Sequence, residues 1–192
     1  MGNRSAVLLQ PEEVAEIQND TGFSPSQIIR LYSRFHNLDK NNSGYLTREN
    51  LLGIPELAIN PLGDRIVHSF FQEGDDEETL NFRQFMRTLA HFRPYRKSKD
   101  ADHNLNSREE KLRFAFRMYD LDGDGLISRE ELLAVLHMMV GANISEDQLG
   151  SIADRTIAEA DKDGDRAISF TEFCECMERV DVEQKMSIRF LH

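Results

Sequence analysis

An acidic, glycine-containing loop flanked on both sides by apolar residues at helical spacing recurs four times along the chain, and this repeat restricts the fold more than any other feature. The loops begin near Asp39, Glu73, Asp120 and Asp161, 34 positions apart in the first pair and 41 in the second, and each interval fits a helix, a loop and a helix. Ile28, Leu31, Tyr32, Phe35 and Leu38 make an apolar stripe before the first loop, as do Leu112, Ala115, Phe116 and Tyr119 before the third. Leu132, Leu133, Leu136, Met139 and Val140 follow the third loop, and Phe173, Met177 and Val180 follow the fourth. Such stripes read as core. Between Arg93 and Arg108 the periodicity stops in a charged stretch, Pro94 to Asp100, with the character of a linker. The spacing therefore predicts an all-α chain of two lobes, each a pair of helix-loop-helix units joined by a short antiparallel β bridge. Its parts are an N-terminal segment 1–20, an N-lobe 21–93, a linker 94–108, a C-lobe 109–180 and a tail 181–192.

A twelve-residue calcium loop of the EF-hand type needs oxygen ligands at positions 1, 3, 5 and 12, a backbone carbonyl at 7 and a sharp turn at 6. In the third loop Asp120, Asp122, Asp124 and Glu131 supply the carboxylates, Leu126 the carbonyl, Ser128 the ninth position and Gly125 the turn. Four carboxylates crowded into one loop repel one another unless a cation offsets them. The fourth loop repeats the set with Asp161, Asp163, Asp165, the Ala167 carbonyl, Ser169 and Glu172, but has Arg166 at the turn. A positive φ there costs a non-glycine residue roughly 1 kcal/mol or more, so this loop is expected to bind calcium more weakly than its carboxylates suggest. Ile127 and Ile168, both at position 8, are placed to pair the two loops.

The first loop reads Asp39, Asn41, Ser43, Gly44, Tyr45, Thr47 and Asn50, with a single carboxylate and no closing glutamate. The second reads Glu73, Asp75, Glu77, Glu78, Thr79, Asn81 and Gln84 and lacks both the turn glycine and the final glutamate. Two calcium ions are therefore expected, in the third and fourth loops, beside an N-lobe that keeps its shape without the metal chemistry.

A formal net charge of -11 repels a phosphate backbone and excludes nucleic acid as a natural partner. The six histidines are scattered and no catalytic Ser/His/Asp, Cys/His or phosphate-loop arrangement occurs, so the chain does not read as an enzyme. Cys174 and Cys176, two positions apart in a helical stretch, project in different directions and read as free thiols of a reducing cytosol. No apolar run approaches the roughly 18 residues that span a bilayer. Gly2 follows Met1 as N-myristoylation requires, although Ala6 stands where Ser or Thr is usual. With 12 Phe and 7 Met, the chain has apolar surface suited to an amphipathic target helix. The groove is expected from Leu31, Phe35, Phe70, Phe71 and Leu89 with Phe116, Leu136 and Met139, and the tail's Met186, Ile188, Phe190 and Leu191 could fold over it.

The stretches Pro55 to Ile66, Phe85 to Pro94, Ser151 to Asp165 and Asp181 to His192 resemble the calcineurin B homologous protein family. The resemblance runs from about Thr21 to the C-terminus. It implies calcium in the two C-terminal hands, myristoylation at Gly2 and constitutive binding to the cytoplasmic juxtamembrane helix of plasma-membrane sodium/proton exchangers. It also implies inhibition of calcineurin phosphatase, roles in membrane traffic, microtubule-associated factors as partners, and a cytoplasmic location at plasma and secretory-pathway membranes. Export motifs around Val135 to Ile144 and Cys176 to Lys185 would add nuclear shuttling. The alternatives are a phosphatase regulatory subunit of the calcineurin B type and a partner-free calcium buffer.

Overall fold

The computed structural model describes residues 9–72, 78–93 and 105–181. The N-lobe opens with α1 (Pro11–Thr21) and α2 (Pro25–Leu38), each started by a proline in the first turn and a capping box, from Gln10 and Ser24. The first loop then leads through β1 (Tyr45–Leu46) into α3 (Arg48–Leu52), α4 (Pro55–Ala58) and α5 (Gly63–Phe71). β2 (Leu80–Asn81) and α6 (Phe82–Ala90) complete the lobe. In the C-lobe, α7 (Arg108–Tyr119), β3 (Leu126–Ile127) and α8 (Arg129–Val140) make one hand. A 3-10 turn at Gly141–Asn143 leads to the other, α9 (Glu146–Ala160), β4 (Ile168–Ser169) and α10 (Phe170–Cys176). The described chain is all-α apart from the two bridges, β1 with β2 and β3 with β4, both antiparallel. Their registers, Leu46 opposite Leu80 and Ile127 opposite Ile168, join loops at position 8 as the spacing predicts.

Three expectations change. Residues 11–20, assigned to an N-terminal segment, belong to α1, which buries Ile17 and Thr21 and packs on α2 and α6. Arg83 of α6 pairs with Glu16, and Arg93 donates to the Thr21 carbonyl. Second, the end of the proposed linker is not a spacer. Asn106 is buried, Leu105 packs on the N-lobe core, and the Leu105 carbonyl lies 2.7 Å from Nδ1 of buried His91. Third, the lobes share a helix: α7 sends Leu112 and Phe116 into the C-lobe core but Phe114 and Met118 into the N-lobe core. Phe114 meets Phe92 edge-on with ring centroids 5.0 Å apart. A helix whose two faces are both apolar must be covered from two sides, and α5 supplies the second cover.

The N-lobe holds together by aromatic packing. Phe35 sits edge-to-face against Phe82 and Phe85 at 5.4 and 5.6 Å, geometry that adds to the area these rings bury. Cys174 and Cys176 are free thiols, and burial pushes that of Cys174 up. Among the described residues no helix is long and apolar enough to cross a membrane. Gly2, the second-loop residues Glu73, Asp75 and Glu77, the linker 94–104 and the tail from 182 onward lie outside the described residues.

Candidate metal centre

Each C-lobe loop is built by its first and last acidic residues. In the third loop, Asp120 accepts the amides of Gly123 at 2.8 Å and Gly125 at 3.1 Å, which folds the chain around its carboxylate. Gly123 and Gly125 take φ of 76° and 89°, the left-handed region that favours glycine. Asp122 and Asp124 then receive the amides two residues on, Asp124 at 3.1 Å and Leu126 at 2.8 Å. These local bonds bring ligand oxygens of Asp120, Asp122 and Asp124 within 4.8 Å of one another, and the same holds for Asp161, Asp163 and Asp165. Asp122, Asp124, Asp163 and Asp165 are exposed, so an ion has open access.

The closing glutamates are buried and serve two ends at once. Glu131 and Glu172 occupy the third helical position, where they form capping boxes with Ser128 and Ser169. The other oxygen reaches back over the loop, from Glu131 to the amides of Leu121 at 2.7 Å and Asp122 at 3.1 Å, and from Glu172 to that of Lys162 at 2.7 Å. The amides of Lys162 and Ser169 and the Ser169 hydroxyl hold the Glu172 carboxyl at about 2. For Glu131, burial works against ionisation, but the Ser128 amide and hydroxyl and the two loop amides outweigh it and keep its value below the ordinary one. Both glutamates are therefore anionic at neutral pH, as a hard divalent cation requires.

Arg166 takes φ 68° with its amide on Asp161 at 2.8 Å, so the fourth loop makes the same left-handed turn as the third on a residue that carries a Cβ. The first loop also keeps the shape. Asp39 accepts the amides of Ser43 at 3.0 Å and Gly44 at 2.7 Å and the Ser43 hydroxyl at 3.1 Å, and Asn50 replaces the glutamate in a capping box with Thr47. Burial opposes the charge of Asp39, yet these donors keep its carboxyl below the usual value. Among the described residues only the third and fourth loops gather three ligating carboxylates. Oxygen donors, charge and spacing there fit calcium.

The groove expectation needs correction. Leu31, Phe35, Phe70, Phe71 and Leu89 are core residues of the N-lobe, and Phe116 is a core residue of the C-lobe, where Phe170 and Phe173 meet its ring edge-on. Leu136 is half-buried and Met139 is 47% exposed, which leaves α8 as the accessible part of that set. Met138 and Ile152, not among the expected residues, are exposed on α8 and α9. Sequence reasoning also missed Arg65. From α5 its guanidinium donates to three carbonyls at the end of α7, those of Arg117 at 2.9 Å, Met118 at 3.2 Å and Asp120 at 3.2 Å. Nothing in the local pattern around Arg65 marks it, since its acceptors lie 52 to 55 positions away.

Comparison with known proteins places these loops in context. The EF-hand domain pair family matches residues 109–178, which contain both three-carboxylate loops. The chain is 45% identical over 181 residues to the calcineurin B subunit of Naegleria gruberi, covering 94% of this chain and 96% of that protein. It is 40% identical over 191 residues to the type 1 calcineurin B subunit of Dictyostelium discoideum, covering 99% of both.

Proposed function

This chain belongs to the calcineurin B family, and from that premise we propose that it is the calcium-loaded regulatory subunit of a calcineurin-type phosphatase, gripping a helix of the catalytic subunit. The chain is a calcium-binding regulatory protein, and its relatives carry no catalytic role in their names. One ion would be held by Asp120, Asp122, Asp124, the Leu126 carbonyl and Glu131, the other by Asp161, Asp163, Asp165, the Ala167 carbonyl and Glu172. Bound calcium supplies positive charge that offsets the crowded carboxylates and stiffens the C-lobe. The observation that carries this reading is the convergence of three carboxylates in each of two neighbouring loops of a chain matched end to end by calcineurin B proteins.

A second reading is an obligate component of sodium/proton exchangers, holding their cytoplasmic juxtamembrane helix, with Gly2 acylated and the complex at the cytoplasmic face of membranes. It is favoured by the first loop, which has Asn41, Ser43 and Asn50 at the third, fifth and twelfth positions, where a calcium loop places carboxylates. The exchanger reading needs a structural N-lobe and only two working loops.

Calorimetry of the full chain tests the metal half: wild type is expected to show two tight calcium sites, and the double variant Glu131→Gln, Glu172→Gln neither. Glutamine keeps the capping box, so the fold should survive the change. Persistence of both sites in that variant would refute the assignment. Co-expression with the phosphatase catalytic subunit in competition with an exchanger helix tests the partner. Retention of the catalytic subunit is expected, and exclusive capture of the exchanger helix would replace the first reading with the second.

A further inference from the structure

Among the described residues, the polar clasp from the N-lobe onto the third calcium loop is Arg65. Its guanidinium, half-buried on α5, collects the carbonyls of Arg117, Met118 and Asp120, and the last of these is the first residue of the loop. It thus occupies the carboxyl end of α7, where the backbone dipole and three orphan carbonyls favour a cation. We propose that Arg65 is a positioning and charge-tuning residue of the third calcium site, a fixed positive charge from the other lobe that lowers the site's affinity for calcium. The inference rests on the third loop being a calcium site.

The physical case is a competition between charges. Arginine stays protonated throughout the working pH range and cannot move away without giving up three hydrogen bonds. Burial favours the uncharged guanidine of Arg65, while Asp120 and Glu131 act electrostatically in the opposite direction, so both loop carboxylates are felt at this position. A charge that relieves carboxylate repulsion before calcium arrives repels the ion once it is bound, and both effects weaken binding. By reciprocity, calcium in the third loop weakens the hold of Arg65 on α7 and with it the grip between the lobes. The hydrogen bonds of Arg65 go to the end of α7 and the first residue of the third loop, so the fourth loop serves as an internal control.

The test measures calcium affinity of the third site alone, in full-length Glu172→Gln protein, with and without Arg65→Met and Arg65→Lys. Arg65→Met should lower the dissociation constant about fivefold, an effect that shrinks toward unity in 1 M KCl as the charge is screened. Arg65→Lys keeps the charge but cannot span three carbonyls, so it should stay near the parent value. If Arg65 were only a mechanical brace, both substitutions would weaken the site or leave it unchanged, with no salt dependence, and that result overturns the inference. Hydrogen exchange of residues 117–121 in calcium-free protein should quicken in Arg65→Met, which reports loss of the clasp independently of metal binding. Unaltered exchange there would also overturn it. If Glu172→Gln protein with Arg65 intact binds no calcium at all, the calcium reading of the third loop fails first and this inference falls with it.

Discussion

In the first loop Asp39 gathers the amides of Ser43 and Gly44 with Asn41 and Ser43 at the third and fifth positions, whereas Asp120 in the third gathers those of Gly123 and Gly125 with Asp122 and Asp124 alongside. The two backbones nevertheless agree. Each has a left-handed glycine at the sixth position, Gly44 at φ 84° and Gly125 at φ 89°. Each forms its bridge at positions 7 and 8 and starts its exiting helix with a capping box, Thr47 with Asn50 and Ser128 with Glu131. The contrast separates two layers of information. Loop shape is carried by one aspartate, one turn residue and one cap, while the carboxylates a calcium ion needs would come from positions 3, 5 and 12, where the first loop has Asn41, Ser43 and Asn50.

If the layers are independent, charge alone should return metal binding to the first loop. Ser43→Asp with Asn50→Glu restores carboxylates at positions 5 and 12 on an existing scaffold, with the Asn41 amide oxygen available at position 3. A third, weak calcium site of roughly 10⁻⁴ M is expected by calorimetry, within the range that calcium loops span. A stoichiometry that stays at two would mean that shape and charge are not separable. A smaller effect addresses what holds the N-lobe. Phe35→Ala removes the ring that meets Phe82 and Phe85, and full burial of Phe35 sets the expected loss at about 3–5 kcal/mol in denaturant unfolding. Added calcium should not recover that loss, because the lobe is stabilised by packing.

The smallest effect compares the two loops that gather three carboxylates. Arg166→Gly relieves a left-handed non-glycine residue and should tighten the fourth site about fivefold, roughly 1 kcal/mol. The reverse change, Gly125→Arg, meets no neighbouring atom at its Cβ, so backbone strain is its main cost and the third site should weaken by a similar factor. Titration of each site in the background where the other is disabled measures both. Equal affinities across the pair of swaps would show that the turn residue does not set the difference between the loops.

Much of the candidate site was legible in the chain because its parts are close in sequence. Asp120 to Glu131 spans twelve residues, so order along the chain determines neighbourhood in space, and the same local rule placed the bridge at Ile127 and Ile168. Apolar periodicity also located α2, α7, α8 and α10, since a stripe needs only its own helix to be recognised, but it passed over α1. It did not tell which stripes remain accessible. Phe35, Phe70 and Phe116 looked like a groove and are core, because burial depends on what packs over them from other elements: Phe82 and Phe85 on Phe35, Phe85 on Phe70, and Phe170 and Phe173 on Phe116.

What the sequence determined by itself, then, is the crowding of three carboxylates in the third and fourth loops and the capping box that closes each, because those residues lie within one turn or one loop of each other, together with the position in each loop at which the bridge forms. Only the tertiary structure decided that α1 belongs to the N-lobe, that α7 is shared between two cores, and that Arg65 reaches the edge of the third loop. These depend on contacts between separate elements, spanning 55 positions from Arg65 to Asp120, where one-dimensional spacing carries no distance and only the closed packing of helices brings the groups together.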